Sequence, residues 1–469
     1  MPTIAVLGGG ITGLSAAYYL KHLQPHKGAV ILFEASSRLG GWINSEILRD
    51  GTRLEIGPRT LRATGAAGAN SLAMAHHLGL ENKIIPVRYG HPTTRNRMIQ
   101  VGGELHTLPS SLKTAFQTTP PFSKPLVLSL LHDLRAAKVS NSDESLYSFV
   151  NRRFGSEVAD YIIDPLTRGV FAGNARELSV KSLGKVLHEY EQTHGGVVKG
   201  ALMNLFTIKK KDPLLKNELV RKARTEKWAV WSMTSGIGTL VDSLTNRLIL
   251  DGVEIRKNSK VDTIKSDRGK MIIKCGSEIS IVDHIISCLS SKDMSSIVGL
   301  NFQLKSFLEK IPFVTVGVVN LVYEGNSIVK QAAFGYLVPS SEPSNVLGVI
   351  FDTCAFPQEN KTVLTVMMGG YWFNSLFGYN PSKDVLLNAA ILEVHNTLHI
   401  KTEPCSAKVS ILQDCIPQYV VGHTEAVENA RQLLIKDNVP MKLAGNSYDG
   451  VGVNDSIMSA RNAVMCLQL

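Results

Sequence analysis

Three glycines near the start of the chain have the spacing of a phosphate-binding turn. Gly8, Gly10 and Gly13 follow an apolar run and precede a helix-forming run, which is the setting in which this spacing binds dinucleotides. Backbone N–H groups can approach a pyrophosphate there because no side chain intervenes, and the helix N-terminus adds a favourable dipole. Glu34, about twenty residues further on, can accept hydrogen bonds from a ribose diol. We predict that the whole turn binds a dinucleotide: Gly8-Gly9-Gly10-Ile11-Thr12-Gly13.

The residues after Glu34 bear on which dinucleotide is bound. Arg38 lies four residues beyond the acid, and Gly40, Gly41 and Trp42 follow soon after. A guanidinium can pair with phosphate, and adjacent glycines let the backbone fold back close to a cofactor. This segment therefore predicts further cofactor contacts from Arg38, Gly41 and Trp42.

A second glycine-rich segment lies near the C-terminus. Ala444 and Gly445 end an apolar run there, and Gly452, Val453 and Asn454 open a helix-forming run. N–H groups at a helix start can stabilise negative charge on a bound group. An ordinary strand–turn–helix closure explains these glycines alone, but not a matching motif at the other end of the chain. Together the two segments resemble the flavoprotein family that includes amine oxidases, phytoene desaturases and protoporphyrinogen oxidases, and the resemblance implies noncovalently bound FAD.

The elements around these motifs predict a combined α/β and α+β fold. A strand at 3–7, a helix at about 12–23 and a strand at 29–34 form a βαβ start, which builds parallel sheets. Alternating or continuous β-branched runs at 313–323 and 362–368 predict a second sheet. We predict a discontinuous Rossmann-like FAD-binding domain (1–87, 228–295 and 425–469), a mainly helical membrane-associating insertion (88–217) and a mixed-sheet substrate-binding domain (296–424).

Beyond the motifs, nearly the whole chain resembles the animal-type protoporphyrinogen oxidases. The resemblance is carried by residues 38–43, 55–59, 91–97, 121–126, 168–174, 334–341 and 415–419. It implies FAD-dependent oxidation of protoporphyrinogen IX to protoporphyrin IX, with O2 reduced to H2O2, as the penultimate step of haem biosynthesis. Hydride transfer from a methylene bridge to flavin N5 requires positioning more than a protein acid or base. No catalytic side chain is therefore predicted.

The resemblance also assigns site residues. Arg97 would hold a substrate propionate, because a planar guanidinium pairs bidentately with a carboxylate. From sequence alone, core packing explains Phe334, Leu337 and Met367 better than a pocket does, and only the resemblance reverses this. The predicted pocket residues are Gly169, Phe334, Leu337 and Met367. The further cofactor residues are Gly57, Pro58, Arg59 and Thr60 beside the flavin, and Val261 at the adenine end, on a strand predicted at 261–264. For Arg59, stabilising the reduced flavin and tying its own loop are both open.

Composition limits the partners of this 469-residue chain. Its formal net charge of +10 suits nucleic acid, an anionic membrane surface or an acidic small molecule. Dispersed charges without a recognition motif argue against nucleic acid. The run Lys209-Lys210-Lys211 is interpreted as a solvated loop in preference to a contact with lipid headgroups.

Two patterns that suggest metal or covalent chemistry have plainer explanations. Six scattered cysteines without a CxxC pair predict buried free thiols, not disulfides or zinc ligands, and Cys415 lacks the context of a covalent flavin link. His188 and His194 would lie about 240° apart on a helix. The segment 188–194 is therefore predicted to be a solvated helix or loop, and no metal is expected.

Location is predicted mainly from the resemblance, which implies peripheral attachment to the inner mitochondrial membrane on the intermembrane-space side. A strand beginning at Thr3 predicts no cleavable presequence. The uncharged stretch 362–382 is interpreted as strand plus loop, since Gly369, Gly370 and Pro381 interrupt it. The apolar stretch 122–131 fits either an interfacial helix or a buried core helix.

Two alternative functions remain open from sequence. An amine oxidase or carotenoid-type desaturase could use the same scaffold, although an amine oxidase would need an aromatic cage instead of a propionate-binding arginine. A binding protein like the Rab GDP-dissociation inhibitors would lack redox chemistry, and flavin motifs at both termini argue against it. The expected partners are protoporphyrinogen IX, O2 and a lipid surface. Homodimer formation and handover of product to ferrochelatase stay open.

Overall fold

The chain folds into two compact units, each assembled from separate stretches of sequence. A computed structural model describes residues 1–23, 28–140, 143–205, 213–299 and 302–467. The first unit contains Met1–Pro86, Asp212–Pro312 and His423–Leu469, and the second contains Val87–Lys211 and Phe313–Gly422. Most of the predicted helical insertion and most of the predicted substrate-binding segment thus belong to one unit. Whether they act as separate domains stays a prediction.

A five-stranded parallel sheet forms the centre of the first unit. Its strands in spatial order are Glu254–Arg256, Val30–Phe33, Ile4–Leu7, His284–Ser287 and Met441–Leu443. Two neighbouring strands are buried along their whole length, which is typical of parallel sheets with both faces covered. The predicted βαβ start is confirmed, and the sheet is built from segments far apart in sequence.

Smaller sheets and ten helical segments complete the described part of the first unit. The antiparallel meander consists of Thr263–Asp267, Lys270–Cys275 and Glu278–Val282, and the other strands are Ser45–Ile47, Arg53–Glu55, Leu61–Arg62, Trp228–Met233 and Ile84–Arg88. The helices are Ile11–His22, Gly65–His77, Glu81–Lys83, Pro213–Lys216, Glu218–Thr225, Gly238–Leu250, Ser291–Ile297, Phe302–Leu308, His423–Lys436 and Val453–Met465. The strand predicted at 261–264 is wrong for Val261, which lies in a loop because pairing with the next strand starts at Thr263.

The second unit is built on a seven-stranded mixed sheet. Its strands in spatial order are Ser406–Pro417, Phe313–Glu324, Lys361–Gly370, Val346–Phe351, Gly335–Leu337, Met98–Val101 and Glu104–Thr107. All neighbours are antiparallel except Gly335–Leu337 and Met98–Val101. The predicted second sheet is confirmed, and two of its strands come from the segment predicted to be mainly helical.

Helices account for most of the rest of the second unit. They are Pro92–Arg95, Leu112–Ala115, Val127–Arg135, Leu146–Phe154, Ser156–Val158, Ala159–Ile163, Asp164–Phe171, Val180–Leu183, Lys185–His194, Val197–Leu205, Asp352–Ala355, Phe373–Phe377 and Lys383–Leu398. The stretch 362–382 forms a strand, a turn and a short helix. Among the described residues, no helix is both long and apolar enough to cross a membrane.

Three expectations from sequence need correction or fall outside the described residues. The cysteines are free, but Cys405 and Cys466 are exposed, so burial was predicted wrongly for them. Residues 188–194 belong to a helix in which Glu191 is buried, so that segment is not wholly solvated. The run Lys209-Lys210-Lys211 lies outside the part of the chain that the structure describes.

Candidate functional site: a glycine turn and an apolar row

The glycine turn packs so tightly that side chains are excluded from parts of it. A Cβ atom on Gly13 would lie 1.8 Å from the carbonyl oxygen of Gly8, and one on Gly9 would lie 2.5 Å from Leu39 Cδ2. The Gly8 N–H donates to the Phe33 carbonyl at 2.8 Å, which joins the turn to the neighbouring strand. Gly10, by contrast, has open space beside it, the nearest atom to its Cβ position being Gly41 Cα at 3.8 Å. The turn therefore presents bare backbone at the start of the helix.

Glu34 lies beside this turn with its carboxylate partly engaged. Its Oε2 accepts from the Gly9 N–H at 2.7 Å, and its Oε1 accepts from the N–H and hydroxyl of Ser36, both at 2.8 Å. These contacts orient the carboxylate while leaving it half-exposed. A carboxylate oxygen can accept more than one hydrogen bond, so the predicted contact with a ribose diol is compatible with this geometry.

Arg38 ties its own loop together. Its Nη1 donates to the carbonyls of Leu39 and Ile43 at 2.9 and 2.8 Å, and its Nη2 donates to the carbonyl of Gly41. The same loop reaches the glycine turn, since the Gly40 N–H donates to the Gly9 carbonyl at 2.8 Å. The structure thus gives Arg38 a loop-folding contact, and its pairing with phosphate stays a prediction.

The segment Gly57–Thr60 returns to the same loop. A Cβ atom on Gly57 would lie 1.9 Å from the Trp42 carbonyl oxygen, so only glycine permits this close approach. Arg59 is buried, and its carbonyl accepts from the Ser232 hydroxyl at 2.8 Å. The structure therefore brings Trp42, Gly57 and Arg59 into one part of the first unit, and the place of Gly57 and Arg59 beside a flavin stays a prediction.

Glu55 is a buried carboxyl of this region that was given no role in the sequence analysis. Its Oε1 accepts from the Ile237 N–H at 3.0 Å, and its Oε2 accepts from the Ser45 hydroxyl at 2.7 Å. Burial raises the pKa of Glu55 to about 7, against the lowering effects of these hydrogen bonds and of Arg59 and Arg53. The signal available in the sequence was a carboxylate directly after an apolar strand residue and before a Gly-Pro pair.

Replacing Glu55 with glutamine is expected to remove a pH dependence of stability. The pKa of about 7 lies above the ordinary value of 4.5, so the folded protein holds a proton that the unfolded chain releases between these pH values. The free energy of unfolding of the native chain should therefore fall as pH rises through this window. Glu55→Gln keeps an acceptor for Ile237 and should lack that fall. Thermal unfolding at several pH values measures the difference, and parallel curves for the two proteins would refute the shifted pKa.

The loop that leads to Val261 contacts the segment that contains Glu34. The N–H of Ser259 donates to the Glu34 carbonyl at 2.8 Å, and the N–H of Asn258 donates to the Ser36 carbonyl at 3.1 Å. Val261 itself is buried. The loop therefore lies beside the acid that is predicted to bind ribose, which suits a contact at the adenine end.

The C-terminal segment packs against the N-terminal turn. A Cβ atom on Gly445 would lie 3.3 Å from Thr12 Oγ1. The Ala444 N–H donates to the Ser287 carbonyl at 2.9 Å. Gly452 is the N-cap residue of the helix Val453–Met465 and, as a glycine, offers no side chain to the first N–H groups of the helix. Asn454 donates to the Arg62 carbonyl at 2.8 Å, while its buried Oδ1 has no partner among the described residues. An orphaned acceptor at a helix start fits a bound group that carries an N–H, as a flavin does.

In the second unit, three predicted pocket residues come together on the sheet. Strand register places Leu337 opposite Gly348, and Gly348 opposite Met367. Directly opposed residues share one face of a sheet, so Leu337 and Met367 project to the same side, separated by a residue without a side chain. Gly169 packs against Leu337, because a Cβ atom on Gly169 would lie 2.2 Å from Leu337 Cδ2. We call Gly169, Leu337, Gly348 and Met367 the apolar row.

Arg97 and Phe334 flank this row. Arg97 immediately precedes Met98, which pairs with Tyr336 next to Leu337. Its side chain is exposed, and its guanidinium has no hydrogen-bond or ion-pair partner among the described residues. Phe334 is half-buried, and its carbonyl accepts from the Phe351 N–H at 2.9 Å. The second unit thus combines an apolar surface with an available cation.

Two charged residues that hold the apolar row were missed from sequence. Arg168 donates through Nη1 to the carbonyls of Val338 and Pro339 at 2.8 and 2.6 Å. Asp164, one helical turn earlier, accepts from the N–H and hydroxyl of Ser340 at 2.6 and 2.9 Å. Both fasten the helix that carries Gly169 to the segment after Leu337. Their spacing of four on a helix beside Gly169 was the available signal.

The comparisons with known proteins agree with this picture. The sequence pattern of the flavin containing amine oxidoreductases matches residues 11–468. A protein of Exiguobacterium sp. 255-15 with a solved structure has the same fold, with a TM-score of 0.80, 23% identity and coverage of 99% of this chain and 98% of that one. The chain belongs to the flavin containing amine oxidoreductase family.

Closer relatives narrow the assignment. The protoporphyrinogen oxidase of Bos taurus is 40% identical, over 98% of this chain and 97% of its own length. That of Homo sapiens is 39% identical, over 99% and 98% of the two chains. Within its family the chain therefore groups with the protoporphyrinogen oxidases and is an oxidoreductase.

Proposed function

We propose that this protein is an FAD-dependent oxidase that converts protoporphyrinogen IX to protoporphyrin IX with O2 as electron acceptor. The observation that carries the proposal is the likeness to protoporphyrinogen oxidases over almost the full length of each chain. Complete oxidation removes six electrons, so three O2 would be reduced to three H2O2. In this role the enzyme performs the penultimate step of haem biosynthesis.

The residues of the chain would bind and orient the reactants. Bound FAD would supply the redox chemistry by accepting hydride from a methylene bridge of the macrocycle and passing the electrons to O2. Gly8–Gly13 and Glu34 would hold its pyrophosphate and ribose, and Asn454 would accept a hydrogen bond from its ring system. The apolar row offers a surface suited to a flat apolar macrocycle.

Oxygen uptake and flavin content test the proposal together. Purified protein should be yellow, release FAD on heating or acid treatment, and consume O2 with protoporphyrinogen while porphyrin fluorescence appears. The comparison substrates are a panel of primary amines and polyamines, together with a porphyrinogen that carries four propionates. Activity on amines alone would establish the amine oxidase alternative. A colourless protein without flavin would support the non-catalytic alternative, and flavin that stays attached after acid treatment would contradict noncovalent binding.

An Arg97→Ala variant is expected to raise the KM for protoporphyrinogen by about tenfold to a hundredfold with a smaller change in kcat. The reason is that a charge-assisted hydrogen bond to a carboxylate contributes about 1.5–3 kcal/mol, and a propionate is bound in both the ground state and the transition state. Initial-rate measurements over a range of substrate concentrations give both constants.

Arg95→Ala is the matched control for Arg97→Ala. Arg95 is also exposed and ends the short helix Pro92–Arg95, so its removal tests a general loss of positive charge. An equal rise in KM for both variants, or none for Arg97→Ala, would remove Arg97 from the substrate site.

We also propose that the protein attaches peripherally to the inner mitochondrial membrane, on the intermembrane-space side. The exposed leucines of the helix Val127–Arg135 support attachment to an apolar phase. The side of the membrane rests on the family resemblance alone. Mitochondrial fractionation with alkaline extraction tests the mode of attachment, and protease access after rupture of the outer membrane tests the side. Recovery in the matrix fraction would contradict this location.

A further inference from the structure

The helix Val127–Arg135 exposes apolar side chains and buries an acidic one, which is the reverse of the usual pattern at a protein surface. Asp133 is its one fully buried residue, whereas Leu128, Leu130, Leu131 and Leu134 are between 44% and 59% exposed. A helix packed on an aqueous protein normally buries its leucines and exposes its acids. The outward face of this helix therefore suits an apolar environment, and a buried core helix is excluded.

Asp133 is buried because it is fully partnered. Its Oδ1 lies 3.1 Å from Arg153 Nη1, and its Oδ2 accepts from the Val198 N–H at 2.8 Å. Val198 lies in the first turn of the helix Val197–Leu205, which exposes Leu202 and Leu205. The aspartate therefore holds two helices with outward-facing leucines side by side, and the apolar face is a built surface.

A cleft with a volume of about 380 Å³ opens at the C-terminal end of the helix Val127–Arg135. It is lined by His132, Arg135, Ala136, Ala137, Val139 and Arg152. Arg152 is engaged by Glu144 and Glu191 at 2.5 and 2.8 Å. Arg135 is exposed and has no hydrogen-bond or ion-pair partner among the described residues. The cleft thus contains a guanidinium with all its donors available.

The position of Arg135 joins this cleft to the leucine face. At about 100° per residue, Arg135 projects about 20° from Leu128 and about 40° from Leu131 around the helix axis. Further cations lie near both ends of the helix, namely Lys124 before it and Lys138 after it, and neither has an ion-pair partner among the described residues. The carboxylates of Glu144 and Glu191 are both paired with Arg152, which lines the cleft. A cation that lies among apolar side chains and is flanked by lysines matches the phosphate level of a bilayer.

We propose that the cleft around Arg135 binds the phosphate of an anionic membrane phospholipid, while the leucine face enters the outer acyl region. The inference rests on the proposed peripheral attachment and adds that the protein prefers anionic lipid headgroups. Arg135 donates hydrogen bonds to the phosphate oxygens, and Lys124 and Lys138 attract the surrounding anionic surface.

Vesicle co-sedimentation of the full-length flavoprotein tests this proposal. The probes are vesicles of phosphatidylcholine alone and vesicles of phosphatidylcholine mixed with phosphatidylglycerol. Arg135→Gln should lower the partition coefficient on the mixed vesicles about fivefold and lower partition on pure phosphatidylcholine much less, because the choline ammonium already neutralises that phosphate. Arg221→Gln removes an exposed arginine from a helix of the first unit and should change neither value. Leu134→Ser should lower both.

The outcomes separate the lipid class from attachment itself. Equal affinity of the native protein for both vesicle types, or an unchanged partition of Arg135→Gln, would overturn the headgroup site while leaving attachment in place. No binding of the native protein to either vesicle would overturn attachment as well. Retention of bound flavin in each variant shows that it is folded, and the oxidase assay in detergent tests the proposed reaction separately.

Discussion

A Gly13→Ala variant is expected to lose both its flavin and about 3 kcal/mol of folding stability. The added methyl group would lie 1.8 Å from the Gly8 carbonyl oxygen, and this oxygen belongs to rigid backbone. The turn would have to open, and overpacking of this kind costs up to about 3 kcal/mol. Opening the turn also displaces the N–H groups that are predicted to bind pyrophosphate. Flavin absorbance of the purified protein and its denaturation midpoint measure the two losses.

Gly10→Ala is the matched comparison at the same turn. Gly10 has an ordinary φ of −70°, and its added methyl group would meet only Gly41 Cα at 3.8 Å. Stability of the flavin-free protein should therefore change by less than about 0.5 kcal/mol. A large loss of flavin affinity without loss of stability would place the cofactor over Gly10. Full flavin retention in both variants would contradict a dinucleotide site at this turn.

A Glu191→Gln variant is expected to lower the free energy of unfolding by about 3–5 kcal/mol. Glu191 is almost completely buried. Its Oε1 lies 2.5 Å from Arg153 Nη2 and 2.8 Å from Arg152 Nη1. Removing one partner of a buried ion pair leaves the opposite charge without compensation, and the cost is of this size. Urea unfolding with two optical probes measures the change.

Glu189→Gln, on the same helix, is the control. Its carboxylate is exposed and only 3.8 Å from Lys185, a surface pair whose loss should cost less than about 1 kcal/mol. Burial alone would raise the pKa of Glu191, but hydrogen bonds from Arg152, Arg153 and Val139 lower it to about 2. Because that pKa is depressed, the stabilisation is present above the ordinary value of 4.5 and is lost as pH falls towards about 2. Equal stabilities of the two variants at neutral pH would show that the buried cluster is dispensable.

The sequence by itself determined the part of this protein that is proposed to bind the cofactor. The turn from Gly8 to Gly13, the βαβ start and the acid at Glu34 follow from spacing along a short segment, because local chain geometry allows few structures for that pattern. The predicted parallel sheet and the closing helix at Val453 were confirmed for the same reason. Buried strands of the second sheet were also found, since continuous β-branched runs are informative without knowledge of their partners.

Only the tertiary structure decided which distant residues meet. The apolar row depends on the register of three strands and a helix, and nothing within the sequence near Gly169 specifies Leu337 and Met367 as its neighbours. The segment 188–194 was predicted to be solvated, but its Glu191 is buried against Arg152 and Arg153, because a charge is buried where the fold supplies opposite charges. The same pairing buries Asp133 and turns the leucines of its helix outward. Short-range pattern thus determined the cofactor turn, whereas long-range pairing determined the apolar row and the surface proposed to meet a membrane.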